Sequence, residues 1–130
     1  MGIDHTCLYV PEARFEEILK FYERVLEPLA YKVHMRVPQT AIVGLRSTED
    51  EGPDADFWLI GVEAAPNHTS HIAFRAKNCP VVDDFHCQAL KAGGKDNGPP
   101  GPRNQYGPKY YGAFVLDPAG NNIEAVFYKP

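Results

Sequence analysis

The sequence predicts an α+β protein built from two βαβββ units in tandem. Hydrophobic periodicity switches from strand to helix and back twice along the chain, and the two passes share motifs at a near-constant offset. "GIDHTCLYV" (Gly2–Val10) opens the first pass and "SHIAFRA" (Ser70–Ala76) the second, each with a histidine heading a strand. His5 and His71 lie 66 residues apart (71 − 5), and "FYERVL" from Phe21 lies 64 before "FHCQAL" from Phe85 (85 − 21). Similar offsets with one small deletion mark an internal duplication. His5 and His71 are then equivalent positions of two repeats, about 1–65 and 68–130, in a single domain spanning 1–130.

Each element has its own signal. "TCLYV" is a short apolar strand. In "PEARFEEILKFYERVLEPL" the apolar residues Phe15, Ile18, Leu19, Tyr22, Val25, Leu26 and Leu29 keep the spacing of one helical face, with Pro11 and Pro28 near its ends. "YKVHMRV", "TAIVGLR" and "ADFWLIGV" read as three strands, divided by Pro38-Gln39 and the polar loop "STEDEGPD". The second unit repeats the order: "HIAFRA" as strand, then a helix over "PVVDDFHCQALKAGG" with Val82, Phe85, His86, Ala89 and Leu90 on one face and Gly93-Gly94 as its stop. "KDN" follows, then a Pro/Gly-rich loop from Gly98 to Pro108, the strand "YYGAFVLD", the turn "PAGN" and the strand "NIEAVFY".

Composition narrows the class of protein. At 130 residues, 44 % hydrophobic and 23 % charged, the chain suits one globular domain. A net charge of −4 gives no footprint for nucleic acid or for an anionic membrane. No apolar run approaches the ~20 residues of a membrane span, and no basic-then-apolar leader opens the chain. Cys7, Cys79 and Cys87 form no CxxC spacing, which suits a reducing compartment, so the expected location is the cytoplasm. The sequon Asn67-His68-Thr69 is read as chance on the same grounds.

Alternation assigns faces. In the first strand Thr6, Leu8 and Val10 alternate with His5, Cys7 and Tyr9; the former set packs beneath the helix. In the strand from His71, Ile72, Phe74 and Ala76 pack, leaving His71, Ala73 and Arg75 on the other side. In the last strand Ile123, Ala125 and Phe127 pack, leaving Asn122, Glu124 and Val126. Parity alone therefore sets His5, His71 and Glu124 on one side. Two imidazoles and a carboxylate are suitable ligands for Fe, Mn, Ni, Co or Zn, and three protein ligands leave positions open for substrate. The competing reading makes them strand-end polar residues and an edge-strand charge.

"DHTCLYV", "SHIAF" and above all "GAFVLDPAGNNIEAVF", with its Asp117-Pro118-Ala119-Gly120-Asn121 turn, resemble the vicinal oxygen chelate superfamily. This is the glyoxalase/bleomycin resistance/extradiol dioxygenase family, and the resemblance covers essentially the whole chain. It implies paired βαβββ modules forming an open barrel-like cup, a divalent metal held by His5, His71 and Glu124, and a homodimer. Glyoxalase-type members carry a further Glu or Gln in the fourth strand, where this chain reads "DADFWLIGV". Trp58 best fills that slot, and Asp56 reaches it only with a two-residue slide. The departure argues against a glyoxalase I activity and leaves a 2-His-1-carboxylate set similar to that of extradiol dioxygenases.

Candidate substrate contacts are Trp58, Arg75, Arg103, Tyr106 and Tyr111, with Tyr110 in the same loop-and-strand region. Arginine with aromatics suits a planar or carboxylated small molecule, and a rim of packed tyrosines is the alternative. Cys7 reads as a small filler, and His34, His68 and His86 have no repeat partner and take no role. Two functions fit. One is a metal-dependent lyase, isomerase or dioxygenase acting on a small oxygen-bearing substrate. The other is a bleomycin-resistance-type protein that sequesters a small molecule.

Overall fold

The computed structural model describes residues 2–50, 52–64 and 67–130. Glu51 of the acidic loop and the end of the first repeat, expected near residue 65, lie outside them. The first half runs β1 (Thr6–Pro11), α1 (Phe15–Val25), β2 (Tyr31–Arg36), β3 (Ile42–Ser47) and β4 (Phe57–Val62). The second runs β5 (His71–Arg75), α2 (Cys79–Lys91), β6 (Lys95–Pro102), β7 (Tyr110–Leu116) and β8 (Asn122–Tyr128). Both halves are βαβββ, as the periodicity predicts.

Two four-stranded mixed sheets result, in the orders β1-β4-β3-β2 and β5-β8-β7-β6, and neither closes into a barrel. In each, the strand before the helix pairs parallel with the last strand of its half. The register carries the repeat through to single residues. Cys7 faces Trp58 and Ala73 faces Glu124, and both members shift by 66 (73 − 7 and 124 − 58).

The expected helix over 11–29 is divided. α1 occupies Phe15–Val25, between 3-10 turns at Glu12–Arg14 and Glu27–Leu29. Pro28 cannot donate into a continuing α-helix, and Ala30 ends the second turn at φ 63°. α2 begins where Asn78 Oδ1 accepts the Val81 N–H at 2.9 Å, a helix cap that satisfies one otherwise unpaired donor. The larger correction is β6, because the Gly98–Pro108 stretch expected as loop is strand up to Pro102. Pro99 and Pro100 fall on a sheet-edge strand whose pairing with β7 shifts register twice, and edges and bulges are where a sheet tolerates a residue without an N–H.

Both helices serve one core. Leu8, Val10, Val43, Leu45, Phe57 and Leu59 of the first sheet join Phe74, Ala113, Val115, Ile123 and Ala125 of the second, around Phe21, Tyr22, Val82 and Phe85 of the helices. Phe74 stands edge-on to both Phe57 and Tyr31, with ring centroids 5.3 Å apart, which ties the halves together. The sheet faces turned away from this core carry Trp58 on one side and His71, Glu124 and Phe114 on the other.

The core and its margin hold two phenols that resist ionisation. Burial pushes Tyr22 well above the usual value near 10, aided by Asp117, and burial with Asp56 also raises Tyr31. A raised folded-state pKa gives stability that is complete below the unfolded value and is lost as pH climbs toward the folded one. Stability should therefore fall steadily above about pH 10. Tyrosinate absorbance at 295 nm should rise together with loss of circular dichroism. Ionisation of every tyrosine without unfolding would contradict this.

Candidate functional site

Glu124 is the buried centre of the second sheet's open face, with 2 % of its side chain exposed. Its place in β8 between the core residues Ile123 and Ala125 aims it away from the helices. A carboxylate so desolvated needs partners for both oxygens. Oε2 faces His71 Nε2 at 3.1 Å, and Oε1 accepts the hydroxyl of Tyr110. The other His71 nitrogen, Nδ1, lies 3.0 Å from the Asn122 carbonyl, which fixes the ring's orientation. Phe114, directly across the ladder from Glu124, stacks against the His71 ring with centroids 6.2 Å apart.

The Tyr110 phenol reaches Glu124 by lying across Gly112. A Cβ at Gly112 would stand 3.1 Å from a Tyr110 ring carbon and 3.2 Å from Glu124 Oε1. Burial and the bond to Glu124 raise the Tyr110 pKa, so at neutral pH its hydroxyl is a donor to the carboxylate. Tyr106 and Tyr128 meet the Tyr110 ring at centroid distances of 5.2 and 5.4 Å. Arg75 lies over Tyr128 at 5.8 Å, a cation–π contact that extends the wall.

His5 stands apart from the His71–Glu124 pair but on the same cleft as His71. It precedes β1, and its Nδ1 is 2.7 Å from Asp4. His5 and His71 line one cleft of about 360 Å³ with Asp4, Tyr31, Asp56 and Arg75, where the first strands of the two halves approach. Among the described residues, no three His, Cys, Asp or Glu side chains come close enough together to hold a metal ion. The structure thus brings His71 and Glu124 together and leaves His5 outside the pair. Asp56, the alternative fourth-strand acid, accepts the Tyr31 hydroxyl at 2.9 Å and has a buried Oδ1 without a partner among the described residues. Its pKa is raised by burial, against the pull of the Tyr31 bond.

The remaining candidates divide between the faces. Trp58 lies over Gly44, directly across the ladder, on the open face of the first sheet. The Arg103 guanidinium donates to the carbonyls of Pro99 (2.6 Å), Gly101 (3.0 Å) and Pro102 (3.3 Å), and stands 5.5 Å over the Phe114 ring. Tyr106 is 63 % exposed on the segment after β6. Tyr111 points the other way, beneath α2: its hydroxyl donates to Asp83 at 2.7 Å, and that bond pushes its pKa up to about 12. The sequence reading named both tyrosines and gave the substrate contact to Tyr111 rather than Tyr110. The alternation Tyr110, Gly112, Phe114 against Tyr111, Ala113, Val115 held the missing signal, because Ala113 and Val115 mark the core side.

Comparison with known proteins agrees with this architecture. The family model for the Glyoxalase/Bleomycin resistance protein/Dioxygenase superfamily matches residues 2–125. A glyoxalase/bleomycin resistance protein from Albidiferax ferrireducens T118 superposes with a TM-score of 0.74 at 25 % identity, over 96 % of this chain and 98 % of that one. A glyoxalase/bleomycin resistance/dioxygenase family enzyme from Burkholderia phytofirmans PsJN gives 0.70 at 15 %, over 98 % and 99 %. Lactoylglutathione lyase from Agrobacterium tumefaciens gives 0.69 at 17 %, over 97 % and 92 %; at these identities the last two likenesses show the fold alone. No curated protein matches the sequence. The tandem βαβββ halves, the open sheet faces and a match across nearly the whole length agree, and the chain belongs to the Glyoxalase/Bleomycin resistance protein/Dioxygenase superfamily.

Proposed function

We propose that this protein is a metal-dependent enzyme acting on a small oxygen-bearing organic substrate, with lyase, isomerase or extradiol-type dioxygenase chemistry. The observation that carries the reading is the His71–Glu124 pair. Their facing atoms are 3.1 Å apart, close to the ~3.0 Å between adjacent ligands each ~2.1 Å from an octahedral ion. One imidazole nitrogen and one carboxylate oxygen suit Fe, Mn, Ni, Co or Zn. When bound, a divalent cation supplies Lewis-acid stabilisation to an oxyanion or enolate on two neighbouring substrate oxygens. The chain's own residues do the rest. Asn122 orients His71, Tyr110 holds Glu124, and Arg103 and Arg75 present positive charge to an anionic group on a substrate lying along the aromatic wall.

His5 completes the set in this proposal as a donor from a second copy of the chain. It is exposed and, among the described residues, paired with its neighbour Asp4, and the open faces of both sheets look away from the shared core. The shared core likewise supports reading residues 1–130 as one domain, and the homodimer would be cytoplasmic. Elemental analysis of protein purified without added metal or chelator tests the proposal. Wild type should hold a first-row divalent ion, and Glu124→Ala and His5→Ala should each lose it. Light scattering should show a dimer, and co-refolded His5→Ala and Glu124→Ala chains should regain part of the metal. A monomer, or metal retained by both variants, would count against it.

Sequestration is the second reading, favoured by one observation: Trp58 fills the ladder position that Glu124 fills in the other half. It requires small-molecule affinity that survives Glu124→Ala unchanged.

A further inference from the structure

We propose that Tyr110, laid across Gly112, is a positioning residue that leaves Glu124 a single oxygen with which to bind a cation. The inference rests on the metal-centre reading above. Glu124 offers two oxygens from a side chain that is almost wholly buried. Left to itself, such a carboxylate can turn about its terminal torsion and bind a cation through either oxygen or both. Here Oε1 is occupied by the Tyr110 hydroxyl, and Oε2 alone meets His71.

The device depends on a missing side chain. Tyr110 and Gly112 are alternate residues of β7 and share the open face; Tyr110 pairs with Tyr128, Gly112 with Val126, and Phe114 with Glu124. Glu124 is therefore two ladder steps from Tyr110, a span the phenol covers only by lying flat along the strand. Any Cβ at 112 would press on both the ring and the carboxylate oxygen. Tyr106 and Tyr128 close on the ring edge-on, which discourages other rotamers. A tyrosine stacked only for packing would need neither the gap at 112 nor a hydroxyl directed at a buried carboxylate.

Titration of metal-free protein with Co(II), followed by calorimetry and by the visible absorption of the bound ion, tests this. Tyr110→Phe keeps the ring and removes the hydroxyl. Affinity should fall by about 10–100-fold, as for other partners that orient metal ligands, and the Co(II) band should change as the freed oxygen enters the coordination sphere. Gly112→Ala keeps the hydroxyl and displaces the ring, and should weaken binding in the same direction. The double variant should lose less than the two single losses multiplied, because both act on one contact. Metal-free Tyr110→Phe should melt close to wild type, separating positioning from folding. If wild type binds Co(II) and Tyr110→Phe binds it equally with the same band, this inference fails alone. If wild type binds no Co(II), or Glu124→Ala binds as well as wild type, the metal-centre reading fails and takes this inference with it.

Discussion

Asp117→Ala is expected to cost about 3–5 kcal/mol of folding stability, a drop of roughly 10–20 °C in melting temperature for a chain this size. Asp117 is 4 % exposed and occupies the head of the turn between β7 and β8. Its Oδ1 accepts the backbone N–H groups of Ala119 (2.9 Å) and Asn121 (2.8 Å). Oδ2 accepts the Asn121 side-chain amide at 2.9 Å and the Tyr22 hydroxyl from α1. Asn121 in turn accepts the Ser70 N–H at 2.9 Å, just before β5. One carboxylate thus joins the first helix, the turn and the entrance to the second half. Alanine would strand four donors, three of them within the turn itself. Tyr22→Phe removes one donor and should cost only about 1 kcal/mol, so the two melts compared in one buffer separate the network from a single bond. Equal melting of wild type and Asp117→Ala would refute the account.

Glu124→Met should do the reverse, keeping or raising stability while, on the proposed metal-centre reading, reducing divalent-metal affinity at least 100-fold. Removing one partner of a buried ion pair is costly when a charge is left stranded. Here the groups left behind are a phenol and an imidazole that is 48 % exposed and can return to water. Methionine has nearly the right volume and no desolvation penalty, and it adapts to irregular gaps. A buried carboxylate whose loss stabilises the fold is held there for something other than folding. Thermal melts and Co(II) titration of the same preparation decide the matter. A melting temperature lowered by more than about 10 °C would mark Glu124 as structural instead.

The fold was legible wherever local chemistry and periodicity agreed. The Asp117–Asn121 turn is an example: Gly120 takes the φ of 89° that such a turn asks of glycine, between two β-rich apolar runs. The slot of Trp58 was legible too, since the repeat offset places it opposite Cys7 as Glu124 stands opposite Ala73. Elsewhere local signals conflict with tertiary ones. "GPPGP" has the composition of a loop and becomes strand only because β7 offers it a partner. Tyr110 and Tyr111 are the same residue type side by side; alternation gives each its face, and the pairing with β8 sets which residue lies within reach of Glu124. His5 and His71 share a parity and an equivalent position in their repeats, but they head strands of different sheets, and parity within one strand says nothing of how two sheets are set against each other.

The Gly44–Trp58 pairing bears on how the halves can diverge. In the first sheet the cross-strand pair is glycine and tryptophan; at the equivalent rung of the second it is Phe114 and Glu124. Each rung carries one aromatic, on opposite strands. A Cβ at Gly44 would meet the Trp58 ring at 2.9 Å and the Ala55 Cβ at 2.6 Å, so 44 cannot enlarge while the indole stays. A carboxylate at 58 alone would leave the space above Gly44 empty. Either step taken singly passes through a clash or a void, and only the double exchange keeps the rung filled. The asymmetry between the halves therefore couples the two positions: an acid at 58 and a larger residue at 44 fit together better than either alone.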